Sequence, residues 1–182
     1  MNGSLPKYEC LATRLVRVYS FARGTDGIDP ATVQDVTGAA SAAADGPRRL
    51  AVRVSAQAGR GACVLAAHTV LAADVFAPHF LEFQRGIIRQ YGDLPLAGIM
   101  KDEWGFPPDH TGNPAHDRYW FSQAMADAYA QTSGGRDLVR DALLMAAAEK
   151  GRGAEREAAI NRYRKLCRDR NAEIETDFYR AG

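Results

Sequence analysis

The chain is 182 residues long, room for one domain or a small domain with an extension. It is 46% hydrophobic and 25% charged, which suits a packed core, and its formal charge of +1 gives no field that would draw it to nucleic acid or a membrane surface. No apolar run reaches the ~18 residues of a membrane-crossing helix, which excludes that class as well.

The start, "MNGSLPKYEC", has no basic segment followed by an apolar one, so it is not a signal peptide, and the chain as given reads as cytoplasmic. Cys10, Cys63 and Cys167 lie far apart with no CxxC pair. That spacing indicates neither a zinc site nor a disulfide framework, and no cofactor is expected.

In chain order, residues 11–21, "LATRLVRVYSF", read as a strand by β-branched content and alternation. A long connection follows, with turn signals at Asp26-Gly27 and Asp45-Gly46-Pro47. Its "GAASAAADG" piece reads as a loose surface loop. "RRLAVRVSA" is a second strand with Leu50, Val52 and Val54 on one face. After Gly59 and Gly61, "ACVLAAHTV" is a short apolar run, and a helix is expected from Pro78 to Tyr91, closed by Gly92. "LPLAGIM" is a further apolar run that reads as a strand buried on both faces. Run, helix and run together predict a right-handed βαβ crossover joining parallel strands.

From Trp120 onward the pattern is helical. One helix runs over "YWFSQAMADAYAQT" and ends at Ser133-Gly134-Gly135. A second, "LVRDALLMAAAEK", is capped by Asp137, and a long third helix covers the C-terminus. Its alternating Arg, Asp and Glu read as a solvated face. The expected organisation is a β-rich unit over 1–58 and an α/β region over 59–182 that ends in helices.

The candidate site is the end of the run Leu94–Met100. Lys101, Asp102 and Glu103 close it, and Trp104, Gly105, Phe106, Pro107 and Pro108 follow at once. In parallel α/β folds functional residues stand just past strand C-termini. The loop to Trp120 interleaves aromatics with Asp109, His110, His116 and Asp117. Aromatic faces that stack on sugar rings, beside carboxylates that bond hydroxyls, suit a carbohydrate cleft. Asp102 and Glu103 are adjacent and would point to opposite faces of a strand, so they are not both members of a hydrolytic pair. The alternative is a solvated strand-end turn. Trp104 is the best sugar platform, with core packing as its alternative. His68 ends an apolar run and could bond a substrate hydroxyl or be a satisfied core histidine. Asp74 would orient the cleft or cap the following helix. The spacing of His110 and His116 matches no metal motif.

The segment "VLAAHTVLAADVFAPHFLEFQRGIIRQYGDLPLAGIMKDEWGFPP" resembles part of the bacterial α-L-rhamnosidase-type glycoside hydrolases, which are TIM-barrel enzymes. The matching residues are Asp74, the helix from Pro78, Tyr91, and Asp102-Glu103 with Pro107. The C-terminal helices and the N-terminal β unit look similar too. The resemblance implies Glu103 as catalytic acid/base with Asp102 in support, and a carbohydrate substrate. The chain departs from the family at Trp104, where proline is common; Trp104, His68, His110 and Asp74 are candidate substrate contacts on the residues alone. A full barrel needs eight strands and about 200–250 residues, so the expected fold is a partial TIM-barrel-like segment of a larger hydrolase-like chain. That would place the native start, and any export signal, upstream. Its uncovered strand edges predict self-association. Two other functions fit the same residues. One is a non-catalytic carbohydrate-binding or assembly remnant, and the other an unrelated α+β interaction domain.

Overall fold

β-Branched and aromatic residues crowd the first third of the chain, and they form strands there. The computed structural model describes residues 10–24, 27–55, 57–100, 119–147 and 153–182. It divides into two compact units, one of residues 1–73 with 138–160 and one of 74–137 with 161–182.

The first unit holds five strands: β1 (Cys10–Phe21), β2 (Gln34–Asp35), β3 (Ala40–Ala44), β4 (Leu50–Val54) and β5 (Gly61–Val70). One sheet has the order β2-β1-β5, and β3 and β4 form a separate hairpin. The pairing of β1 with β5 places Thr13 opposite His68 and Phe21 opposite Gly61, with register shifts between Cys10 and Ala12 and between Leu15 and Arg17. Val18, Tyr19, Ser20 and Phe21 are buried in succession, so both faces of this end of β1 are covered. Arg60 fastens the entry to β5. Its Nε donates to Ser20 Oγ at 2.7 Å and its Nη2 to the Thr32 carbonyl at 2.6 Å.

Helix α3 (Leu138–Ala147) belongs to the same unit and buries Leu138, Val139, Leu143, Leu144 and Met145. Apolar residues on most of its circumference are the mark of a core helix. The Ile28 N–H donates to the Ala147 carbonyl at 2.8 Å, and Arg140 donates to the Pro30 carbonyl at 3.2 Å.

The second unit contains α1 (Phe80–Arg89), α2 (Gln123–Thr132) and, from Asn161 on, α4 (Gly153–Ala181). Ser122 caps α2, its Oγ accepting from the Met125 N–H at 3.1 Å. Gly134 and Gly135 end that helix with φ of 72° and 83°, and the Gly135 N–H returns to the Ala130 carbonyl at 2.8 Å. Arg85 and Gln84 of α1 both bond the Asp177 carboxylate of α4, and Gln84 also reaches the Ile174 carbonyl.

Three expectations are corrected. The partial TIM barrel is not formed. The described strands make antiparallel sheets of three and two, and no barrel closes, so the chain is mixed α/β in a different arrangement. The reason lies in β5. It pairs antiparallel with β1 along almost its whole length, and so is not the first strand of a parallel crossover. The run 94–100 after α1 is irregular rather than a strand, with Leu94, Leu96 and Met100 exposed, the last at 90%. Pro95 removes a ladder donor and Gly98 adds backbone freedom, so the run lacks what a buried strand needs. The alanine-rich loop is instead strand β3. Ala40–Ala44 pairs residue for residue with Val54–Leu50 around a turn at Gly46, φ 78°. A β-branched partner strand offers the ladder, and alanine is small enough to accept it.

Candidate functional site

Asp102, Glu103, Trp104 and His110 lie outside the described residues, as do Phe106, Asp109, His116 and Asp117. Of the sequence-based candidates, His68 and Asp74 are described, and they fall in different units.

His68 stands near the end of β5, where the register with β1 places Thr13 opposite. Its Nδ1 is 2.8 Å from Thr13 Oγ1. Thr13 Oγ1 donates its proton to the Pro47 carbonyl at 2.7 Å. The hydroxyl therefore accepts from His68, which places an imidazole proton on Nδ1. Cys10 Sγ lies 3.6 Å from the same Nδ1 and 3.1 Å from the Pro47 oxygen. His68 is thus tied to β1 and, through Thr13, to the β3–β4 turn.

Asp74 sits before α1, yet it serves the start of α2. Its Oδ1 accepts from the Phe76 N–H at 3.0 Å and from Ser122 Oγ at 3.0 Å. Ser122 is the cap of α2, so Asp74 orients that cap. Trp120 is half-buried, and its indole N–H has no hydrogen-bond partner among the described residues.

The second unit also contains a half-open cleft of about 260 Å³. One face of α4 forms its floor, with Leu166 between Arg162 and Arg170 at four-residue spacing. Phe76 and Ala128 add apolar surface. Arg162 Nε donates to the buried Tyr129 hydroxyl at 3.2 Å. Arg170 is held on three sides. Its Nε donates to the Val75 carbonyl at 2.7 Å, its Nη1 to Glu173 at 2.6 Å, and its guanidinium lies 5.8 Å from the Phe76 ring centroid. Its side chain is only 13% exposed. Lys165 bonds Asp169 one turn on, and that contact, with Arg168 behind it, keeps the Asp169 carboxyl below the usual carboxylate range. Thr132 and Ser133 complete the wall at the end of α2. Both hydroxyls donate back into that helix, to Ala128 at 2.8 Å and to Tyr129.

Sequence reasoning took these α4 residues for a solvated face. The spacing Arg162, Leu166, Arg170 and Glu173 does fall on one stripe. That an arginine on it would be almost enclosed depends on Phe76 and Val75, about ninety residues earlier in the chain, and no local pattern announces such a neighbour. Among the described residues no three His, Cys, Asp or Glu side chains converge so as to hold a metal ion, and no helix is long and apolar enough to cross a membrane. No family model matches the chain, and neither a curated protein nor a solved structure matches it.

Proposed function

We propose that this chain acts on carbohydrate and hydrolyses a glycosidic bond, with Glu103 as the proton-transferring acid/base. The observation that carries the reading is the run Asp102-Glu103-Trp104, an acid pair followed directly by an aromatic in a stretch of sequence rich in both types. Most glycosidases pair the acid/base with a second carboxylate, about 5–5.5 Å away for retention or roughly 6.5–9.5 Å for inversion. Asp102 is next to Glu103 in the chain and takes the supporting role. A binding-only function is the second reading, favoured by the half-open cleft of about 260 Å³ in the second unit, which is built without the acid pair.

The test is hydrolysis of paired substrates by wild type and Glu103→Gln. An alkyl glycoside needs its leaving oxygen protonated, whereas a 4-nitrophenyl glycoside leaves as a stabilised anion. Loss of a general acid should lower the alkyl-glycoside rate by about 10²–10⁴-fold and the nitrophenyl rate by much less. Wild-type rates at background on both substrates, matched by the variant, would sink hydrolysis and leave binding.

A further inference from the structure

We propose that the exposed apolar face of α1, in the second unit, is the interface of a dimer, and that its occupant is the same face of a second copy of this chain. The inference goes beyond the hydrolysis reading and makes no use of Glu103.

Phe83 and Ile87 of α1 and Tyr91 in the turn that closes it recur every four residues, so they share one side. They are 59%, 42% and 51% exposed. The helix docks through another side, where Phe80, Gln84 and Ile88 are half-buried and Gln84 bonds Asp177 of α4. The apolar face continues past the turn. The Leu94 N–H donates to the Tyr91 carbonyl at 3.1 Å, and Leu94 and Leu96 are exposed to about the same degree as Tyr91. At about 200 Å² for a large side chain, half of it open, these residues leave roughly 500 Å² of apolar surface in water. That falls within the range of the largest patch a monomer exposes, about 300–600 Å², and patches of that size are often functional. Two such faces brought together remove roughly 1,000 Å², the size at which a specific interface begins.

Gly86 narrows what lies against this face. It stands beside Ile87 inside α1, where glycine is a poorer helix former than alanine. Its own surroundings do not call for it. A Cβ there would meet only Arg89 Nη2, at 3.8 Å, and its φ is not positive. The missing side chain leaves a notch that a second backbone can approach closely. A lipid surface gains nothing from such a notch. Nor does α1 offer anionic lipid a spare cation, since Arg85 pairs with Asp177 and Arg89 with Glu82. The face is also complementary to itself. A twofold axis beside Gly86 and Ile87 runs the two helices antiparallel and sets each Ile87 over the other copy's Gly86. It brings Phe83 of one copy towards Tyr91 of the other, an aromatic pair made twice. Such a contact is isologous and closes at two copies.

Sedimentation equilibrium of the full chain from about 1 µM to about 1 mM tests this, the range in which an interface of minimal size holds a dimer. The mass should rise from 19.8 kDa towards twice that value and stop there. Ile87→Lys and Phe83→Ser, both at exposed positions, should each weaken the dimer by about tenfold or more with the far-UV circular dichroism unchanged. Gly86→Ala improves the helix, so its weakening of the dimer cannot come from a damaged α1. Ala66→Lys, on β5 in the first unit, should leave the dimer in place. A chain that stays monomeric over the whole range overturns the proposal. So does a dimer that Ile87→Lys and Phe83→Ser, or Gly86→Ala, leave unchanged. Flotation of wild type with vesicles of phosphatidylcholine and phosphatidylserine, in place of a dimer, overturns it as well, because the face would then serve a membrane. Glu103→Gln should dimerise as wild type does. Dimerisation without hydrolysis therefore removes the glycosidase reading alone, and hydrolysis by a monomer removes the interface alone.

Discussion

A Cβ built on Gly61 would stand 2.7 Å from Phe21 Cε2 and 3.2 Å from Arg23 Nε. The Phe21 ring is buried, and it sits in the pair that starts the β1–β5 ladder, Phe21 opposite Gly61. A methyl group there has to move an enclosed ring. Gly61→Ala should therefore destabilise the chain by about 1–3 kcal/mol, as overpacking does. Gly38, with nothing within 4 Å of its Cβ position and no positive φ, is the control, and Gly38→Ala should stay within about 0.5 kcal/mol. Urea denaturation of both variants measures the difference, and equal midpoints would show that the Phe21 ring yields at no cost. Asp74 makes a related point about single residues. The sequence placed it beside the helix that follows it, and its hydrogen bonds reach Ser122 at the start of a different one. A carboxylate's nearest neighbour in the chain is a weak guide to the group it serves. Cys63 shows the same dependence on surroundings, since burial alone pushes its thiol above the ordinary range.

Helix α1 is legible as a helix, but not the way it docks. Phe83, Ile87 and Tyr91 recur at four-residue spacing and suggest a buried stripe, yet all three are exposed. The neighbouring stripe, through Phe80, Gln84 and Ile88, is the half-buried one. The attachment to α4 is polar and centres on Asp177, whose side chain is 10% exposed. Arg85 bonded to that carboxylate, with Gln84 assisting, holds its pKa below the usual value, and Asp177 in return raises that of Arg85. The sign of the pH effect follows. A carboxyl whose folded pKa is depressed binds fewer protons than it does unfolded, so its contribution is present in full above the unfolded value near 3.9. It is lost as pH falls below that value and through the lower folded one. Thermal melts between pH 7 and pH 3 should show wild type losing stability across the acid end. Asp177→Asn should be less stable at pH 7, and its gap from wild type should narrow as pH falls from about 4 toward 3. A constant gap between the two proteins would place the contribution in packing rather than in charge.

At the scale of the molecule, the helices after Trp120 were legible as helices, and Gly134-Gly135 marked the end of α2, but its start was not: the sequence pattern extends it back to Tyr119, whereas it begins at Gln123, after the Ser122 cap. The sheet topology was not legible, because pairing is settled between distant segments. Nothing in "ACVLAAHTV" states that its partner is residues 10–21 rather than a parallel strand after α1, and that one pairing removes the barrel. The candidate acid pair was legible only as a composition of acids and aromatics, while the α4 cleft was hidden by the ordinary look of its charges. The same topology leaves β5 at the edge of its sheet among the described strands. It is ten residues long and contains neither a charged residue nor proline. Natural edges are usually protected by one or the other, because an open ladder recruits further strands. The outward row Ala62, Val64 and Ala66 is exposed, so a charge there meets solvent and costs little in the folded chain. Ala66→Lys should therefore leave the circular dichroism spectrum unchanged while lowering the light scattering that wild type develops as its concentration rises. Wild type that stays monodisperse over the same range would mean that this edge is already covered, and lysine would then reduce stability instead of reducing association.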